Sequence, residues 1–203
     1  MENSELVESL KLELVRLARL DSQVRSDLIQ RGLLFDGYHP EMEEVHGANA
    51  DRLAEIIAEH GWPSKSLVGH EAFEAAWLIV QHAIGKPQFQ RSCLAILKKE
   101  TANGEIEMSQ VAQLEDRILV FEGKAQVYGT QFDWDSNDEL SPLPIADPGN
   151  VDRLRHSVGL PSLQTSIDLI RARAQQEGNR APKYPEDRNE KFLLWARKVG
   201  WRN

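Results

Sequence analysis

Residues 72–82 read AFEAAWLIVQH, a nearly continuous apolar run that ends in two polar side chains. A helix that is apolar on almost every side belongs in the interior of a protein, so the run predicts a central helix over about residues 70–84. Gln81 and His82 would then be carried into the core, where an amide and an imidazole both need hydrogen-bonding partners. The segment therefore predicts a helical fold and an internal polar cluster.

Helical periodicity continues on both sides of this segment. Apolar residues recur at intervals of three and four over residues 4–31 and 40–60, which predicts two long amphipathic helices before the central one. Shorter patterns of the same period predict further helices over about residues 88–100, 108–119, 150–158, 162–176 and 192–199. We therefore expect a mainly α fold, a single-domain multi-helix bundle.

The period changes between residues 125 and 143. Residues 125–132, AQVYGTQF, are rich in strand-forming types, and residues 135–138, DSND, form a turn signal before a second strand near 139–143. This predicts a small antiparallel β-hairpin within residues 125–143. We place the helical domain with its hairpin at residues 1–177, and residues 178–203 as a linker and a helix that packs back on the domain.

Composition limits the classes of function. A net charge of -8 argues against nucleic acid as the main partner, because phosphate binding relies on clustered Lys and Arg. No apolar run approaches the length of a membrane helix. Cys93 is the only cysteine, so an internal disulfide is impossible, and the acidic N-terminus lacks the pattern of a secretory signal. We expect a cytoplasmic protein that binds neither nucleic acid nor membrane.

Polar residues interrupt the apolar stripes of the first two helices. Asp21 occupies the buried stripe of the first helix, with Arg25 one turn later, which fits either an internal ion pair or a surface pair. His46 and Asn49 replace hydrocarbon on consecutive turns of the second helix. Together with His82 they predict an inward-facing polar cluster, although a buried histidine is also a common structural residue.

A second polar set is predicted around the hairpin. Gln126, Tyr128 and Thr130 would alternate onto one strand face, with Gln131 on the other. The side chains on that face would either bind a polar ligand or be exposed to solvent. Just before it, the Asp116-Arg117 pair either anchors the same cluster or forms an ordinary salt bridge at a helix end.

A metal site is not predicted. The Glu43-x-x-His46 spacing occurs in di-iron bundles, but those sites need a second copy and two further glutamates, and the chain has no second copy. Walker loops, dinucleotide fingerprints, nucleophile elbows and paired Cys-x-x-Cys motifs are missing from the sequence too. We therefore predict neither a metal nor another cofactor.

Several short motifs occur in a fixed order: GWP at 61–63, QHA at 81–83, FQ at 89–90, DR at 116–117 and YGTQ at 128–131. In this order they resemble an uncharacterised bacterial domain family, over about residues 15–165. The resemblance implies no activity, substrate or cofactor. It adds Gln90 and Arg155 to the positions already selected by periodicity.

Two functions fit these patterns. The first is a metal-independent hydrolase or group transferase that acts on a small polar or peptide-like substrate in a pocket between the first three helices and the hairpin. His46 or His82 would be the general acid/base, oriented by Asp21 or Asp116. Its substrate contacts would come from Arg25, Asn49, Gln81, Gln90, Arg117, Gln126, Tyr128 and Gln131. The alternative is a non-enzymatic protein of the immunity or adaptor type, with a protein partner or a second copy, in which the polar network only holds the fold.

Overall fold

The structure is a computed structural model that describes residues 2–34 and 37–203. It contains two compact units, Met1–Ile106 and Glu107–Asn203. In the first unit the helices are α1 (Glu2–Gln30), α2 (Pro40–His60), α3 (Lys65–His82) and α4 (Pro87–Glu100). The second unit contains α5 (Met108–Phe121), β1 (Phe132–Trp134), β2 (Leu140–Pro142), α6 (Val151–Ser157), α7 (Leu163–Gln176) and α8 (Pro185–Val199). The predicted mainly α fold with a small antiparallel hairpin is confirmed.

Helix α3 is the centre of the first unit, as its apolar sequence predicts. Helices α1, α2 and α4 all pack against it. Its buried side chains include Phe73, Ala76, Ile79 and Val80, all at most 2% exposed. The helix begins earlier than predicted, at Lys65, and is kinked at Gly69, where φ is +77°. A residue with a Cβ rarely adopts this backbone conformation, so glycine permits the bend.

The predicted stop after α2 is also present. Pro40 lies in the first turn of α2, and Gly61, with φ of +77°, ends it. Trp62 is then buried and packs edge-on against Phe73, with ring centroids 6.4 Å apart. The Gly61-Trp62-Pro63 motif therefore ends one helix and fills the core beside the next.

The first strand of the hairpin lies later in the chain than the sequence predicts, whereas the second lies within the predicted residues 139–143. Strand β1 pairs with β2 in antiparallel register, with Asp133 opposite Ser141. Residues 126–131 form a loop instead of a strand, and Gln126 makes only an isolated bridge with Ile145. The predicted alternation of side chains along residues 125–132 is therefore wrong. Hydrogen bonds from the loop to buried polar side chains replace the strand pairing there.

Helix α8 packs against α5 through aromatic residues. Phe121 of α5 stacks on Trp201 at 5.2 Å between ring centroids and also contacts Phe192 and Trp195. Arg202 donates to the Phe121 and Val120 carbonyls at 2.9 and 3.0 Å, where α5 has no further helical donors. The division into compact units falls after Ile106, whereas the sequence places a boundary at residue 177.

Membrane-spanning character is not found among the helices. Over residues 2–34 and 37–203, no helix combines the length and the apolar character needed to cross a bilayer.

Candidate functional site

Three helices of the first unit bring together the acid/base residues that the sequence predicts there. The Asp21 Oδ2 atom lies 2.7 Å from His82 Nδ1 and 3.1 Å from His46 Nε2. The two imidazole centroids are 5.0 Å apart. We call these three residues the Asp–His–His cluster. They are 25 or more positions apart in sequence, and only the packing of α1, α2 and α3 makes them neighbours.

Two of the predicted substrate-binding residues hold these helices in place. Asn49 donates to the Leu17 carbonyl at 3.1 Å, which joins α2 to α1 one turn before Asp21. Gln90 donates to the Val80 and Gln81 carbonyls at 2.7 and 3.2 Å and so satisfies acceptors at the end of α3. These side-chain donors are used within the fold, which favours structural roles for both residues.

The other two predicted ligand contacts of the first unit lie next to the cluster in sequence. Gln81 is buried and directly precedes His82, while Arg25 is half-buried one helical turn after Asp21. Both stay predictions as substrate-binding residues.

Sequence periodicity missed Tyr38. Its hydroxyl lies 2.9 Å from His46 Nδ1, and the two rings stack with centroids 5.7 Å apart. Burial, followed by the nearby negative charges of Glu43 and Asp21, raises the pKa of the phenol, so it remains protonated at neutral pH. Tyr38 precedes α2 in a loop, where no helical spacing marks a side chain as inward-facing. An aromatic residue two turns before a buried histidine was the only signal in the sequence.

The Asp21 carboxylate is the electrostatic centre of the cluster. Burial alone would raise its pKa, but the imidazoles of His46 and His82, within hydrogen-bonding distance, outweigh this effect and hold the pKa well below its usual range. The group is therefore ionised at neutral pH. Its second oxygen, Oδ1, is buried and has no hydrogen-bond partner among the residues that the structure describes.

Solvent reaches the cluster through His82. The side chain of His82 is 29% exposed, compared with 9% for His46 and 2% for Asp21. His82 is also the last residue of α3, so a ligand arriving from solvent would meet its imidazole first.

In the second unit, Asp116 organises the loop at residues 126–131. Its two oxygens accept hydrogen bonds from the backbone N–H groups of Val127, Tyr128 and Thr130 at 2.7–3.1 Å, and from the Thr130 hydroxyl at 3.0 Å. The sequence proposes a catalytic role for Asp116, but a carboxylate with four such donors is already fully engaged. The geometry favours a structural role, and Asp116 has no place in the reaction centre proposed below.

Gln126 is engaged in the same way. Its amide donates to the carbonyls of Gln131 and Leu143 at 3.0 and 2.7 Å, and its oxygen accepts from the Gln131 N–H at 2.9 Å. The Gln131 side chain in turn accepts from Arg117 Nε at 3.2 Å. Burial lowers the pKa of Arg117 to about 10, so its guanidinium remains charged at neutral pH. These contacts explain the residues without a ligand.

Arg155 and Gly129 complete the loop. Arg155, 2% exposed, donates to the Tyr128 and Gly129 carbonyls at 2.6 and 3.1 Å. Gly129 has φ of +66°, and a Cβ there would lie 2.8 Å from Ile145 Cδ1. Gly129, required by both its conformation and its packing, therefore has a structural explanation, as have Thr130 and Gln131 through their hydrogen bonds. The Tyr128 side chain stays a prediction as a substrate contact.

A cleft of about 370 Å³ also lies in the second unit. It is lined by the hairpin, the end of α7 and the residues that follow α7, including Trp134, Leu140, Arg171 and Arg180. None of the site residues predicted from the sequence lines it.

A family model described as a family of unknown function (DUF6624) matches residues 8–175. The chain belongs to this family. The predicted membership of an uncharacterised family is therefore confirmed, and the matched range includes the Asp–His–His cluster and the loop at 126–131. No curated protein and no solved structure matches the chain.

Cys93 is expected to be chemically inert in the folded protein. Its side chain is 1% exposed, and burial raises the pKa of the thiol to about 12, so almost no thiolate is present at neutral pH. Ellman's reagent should label the native protein far more slowly than the protein unfolded in guanidinium chloride, which should react with one thiol per chain. Equally rapid labelling of both forms would contradict the buried position.

Proposed function

We propose that the Asp–His–His cluster is the reaction centre of a hydrolase or group transferase that acts on a small polar or peptide-like substrate. The observation that carries this proposal is the 2.7 Å contact between Asp21 Oδ2 and Nδ1 of the partly exposed His82. A buried, ionised carboxylate beside an imidazole that solvent reaches is the arrangement used to orient a general acid/base.

Each member of the cluster has a distinct chemical task. Asp21 orients the imidazoles and stabilises the positive charge that develops when one of them accepts a proton. An imidazole removes the proton from a water or hydroxyl nucleophile as its oxygen bonds to the carbonyl carbon or the phosphorus of the substrate. The imidazole then returns that proton to the leaving group as the bond between that atom and the leaving group breaks. Tyr38 holds the ring of His46 in place through its Nδ1 atom.

The test compares two histidines on the same helix. His82→Asn should lower the hydrolysis of chromogenic probes, p-nitrophenyl acetate, p-nitrophenyl phosphate and leucine p-nitroanilide, by roughly 100-fold or more. His70→Asn, which alters a side chain that is 69% exposed on α3, should leave the rate unchanged. Circular dichroism checks that both variants fold. Equal rates in His82→Asn and the parent, or no turnover of any probe by the parent, would overturn the proposal.

The proposed setting is the bacterial cytoplasm. Support comes from the single buried cysteine, which suits a reducing compartment, and from the resemblance to a bacterial family.

One observation favours the alternative of an interaction protein of the immunity or adaptor type. Most buried polar groups that the sequence singles out, including Asn49, Gln90, Asp116 and Gln126, are hydrogen-bonded within the fold. If that interpretation holds, the protein should hydrolyse none of the probes and should instead form a complex with a protein partner or a second copy. Light scattering of the purified chain tests for self-association.

A further inference from the structure

The Asp–His–His cluster also has the geometry of a metal site. One ligand atom from each residue, Asp21 Oδ2, His46 Nε2 and His82 Nδ1, lies within 4.8 Å of the other two. Zinc binds nitrogen and oxygen at about 2.0–2.2 Å, which separates neighbouring ligands of a tetrahedral ion by about 3.3 Å. The 2.7 Å contact of Asp21 with His82 would need to widen by about 0.6 Å, and the 3.1 Å contact with His46 by about 0.2 Å.

Hydrogen bonding leaves two atoms of the cluster unexplained. His46 Nε2 is buried 3.1 Å from the Asp21 carboxylate, yet it makes no aligned hydrogen bond with any described residue. Asp21 Oδ1 is equally buried and has no such partner either. Burying polar atoms in this way is costly, and each such case calls for an explanation such as an ion. A cation bound to both imidazoles and to the Asp21 carboxylate accounts for His46 Nε2 directly, and it accounts for Asp21 Oδ1 when the carboxylate binds the ion through both oxygens.

Tyr38 occupies the position expected for a residue that supports a metal ligand. A metal-binding histidine usually hydrogen-bonds through its other ring nitrogen, which fixes the tautomer and the orientation of the ring. Tyr38 Oη lies 2.9 Å from His46 Nδ1. When Nδ1–H donates to that oxygen, Nε2 directs its lone pair at the carboxylate. Two lone pairs facing each other repel unless a cation lies between them.

We propose that Asp21, His46 and His82 bind one divalent transition-metal ion. Two imidazoles and a carboxylate suit zinc and its neighbours in the first transition row. Three protein ligands leave at least one coordination position for water or substrate, and the exposed side of His82 gives access to it. The inference takes its reaction class from the proposed function. It replaces the metal-independent chemistry that the sequence predicts, because a bound ion supplies an ionised water as nucleophile.

The full-length protein, stripped with a chelator, should bind one Zn²⁺ or Co²⁺ per chain in a calorimetric titration. The Co²⁺ form should show the visible absorption of nitrogen and oxygen ligation in an open site. Asp21→Asn, His46→Gln and His82→Asn should each weaken binding more than about 100-fold, whereas Tyr38→Phe should weaken it by about 10-fold. The control is His70→Asn, since His70 and Glu74 form an exposed pair on α3 at 3.9 Å.

The proposed site is overturned if the parent protein binds no ion. It is also overturned if, among the variants, only His70→Asn binds the ion more weakly than the parent. If a cluster variant fails to fold, Tyr38→Phe and the Co²⁺ spectrum of the parent still decide the question, because neither removes a ligand. Ion binding without hydrolysis of any probe would uphold the site and refute the proposed function. A stripped protein that binds no ion but hydrolyses a probe would refute the metal site and uphold the proposed function.

Discussion

Replacing Asp116 with alanine is expected to lower the free energy of unfolding by about 4 kcal/mol. The substitution leaves three backbone N–H groups and the Thr130 hydroxyl without the acceptor they share. A buried donor without a partner costs about 1–3 kcal/mol, and partial relaxation of the loop lets water recover some of that loss. The loop at 126–131 has no regular pairing to compensate.

Urea unfolding followed by circular dichroism measures this loss. Asp116→Asn should cost about half as much, because one oxygen still accepts from Val127 and Tyr128 while the new amide group faces the N–H and the hydroxyl of Thr130. Asp168→Asn, on the exposed face of α7, should change stability by less than about 0.5 kcal/mol. A fully stable Asp116→Ala protein would mean that the carboxylate does not hold the loop and would restore its candidacy as a catalytic group.

Arg155→Met is expected to lower the free energy of unfolding by about 3 kcal/mol, the second-largest effect. The guanidinium donates to the carbonyls of Tyr128, Gly129 and Pro161 and to the Ser166 hydroxyl. Methionine retains most of the length of the side chain but has no donor, so these acceptors lose their partner. The loss is smaller than for Asp116 because methionine still fills most of the space, and a buried carbonyl without a partner is better tolerated than a buried N–H group without one.

The matched control for Arg155 is its neighbour Arg153. Arg153 is exposed on the same helix, and Arg153→Met should be nearly neutral in the same urea experiment.

Asp116 accepts a hydrogen bond from the Tyr128 N–H group, and Arg155 donates one to the Tyr128 carbonyl. The double variant should therefore lose less than the sum of the single losses, with a coupling of about 1 kcal/mol. Strict additivity would show that the two side chains act on the loop independently.

The convergence of Asp21, His46 and His82 was predictable because all three lie on helices. The 3.6-residue period of a helix assigns every position to a face, so a polar residue within an apolar stripe is recognisable from the order of the amino acids. Burial of α3 then forces the inward faces of α1 and α2 toward it. Periodicity carries no information on distance, however, and the 2.7 and 3.1 Å contacts around Asp21 came only from the packed helices.

Tyr38 and the loop at 126–131 were missed for a common reason. Both lie in irregular backbone, where successive side chains follow no fixed period. The sequence of residues 125–132 resembles a strand in its composition, but strand pairing competes there with the hydrogen bonds that Asp116 and Gln126 offer to the same backbone groups. Tertiary context overrides local β propensity when such partners are close at hand.

For the buried polar side chains too, the sequence predicts one property and the tertiary structure decides another. The position of Asn49 or Asp116 in an apolar stripe shows that each must be buried, and a buried polar group must find a partner. Whether that partner is a backbone carbonyl, an N–H group or a ligand depends on what the rest of the chain brings within about 3 Å. Asn49 meets the Leu17 carbonyl of α1, and Asp116 meets the N–H groups of a loop.

Apolar spacing along the chain is thus sufficient for the helices, the central place of α3 and the inward direction of the polar side chains, because these follow from local geometry and the hydrophobic effect. The meeting of one carboxylate with two imidazoles, the support from Tyr38 and the structural use of the YGTQ loop depend on contacts between distant segments. Those contacts arise only when the helices pack, since hydrogen bonds and metal coordination act over about 3 Å whereas burial does not specify a partner.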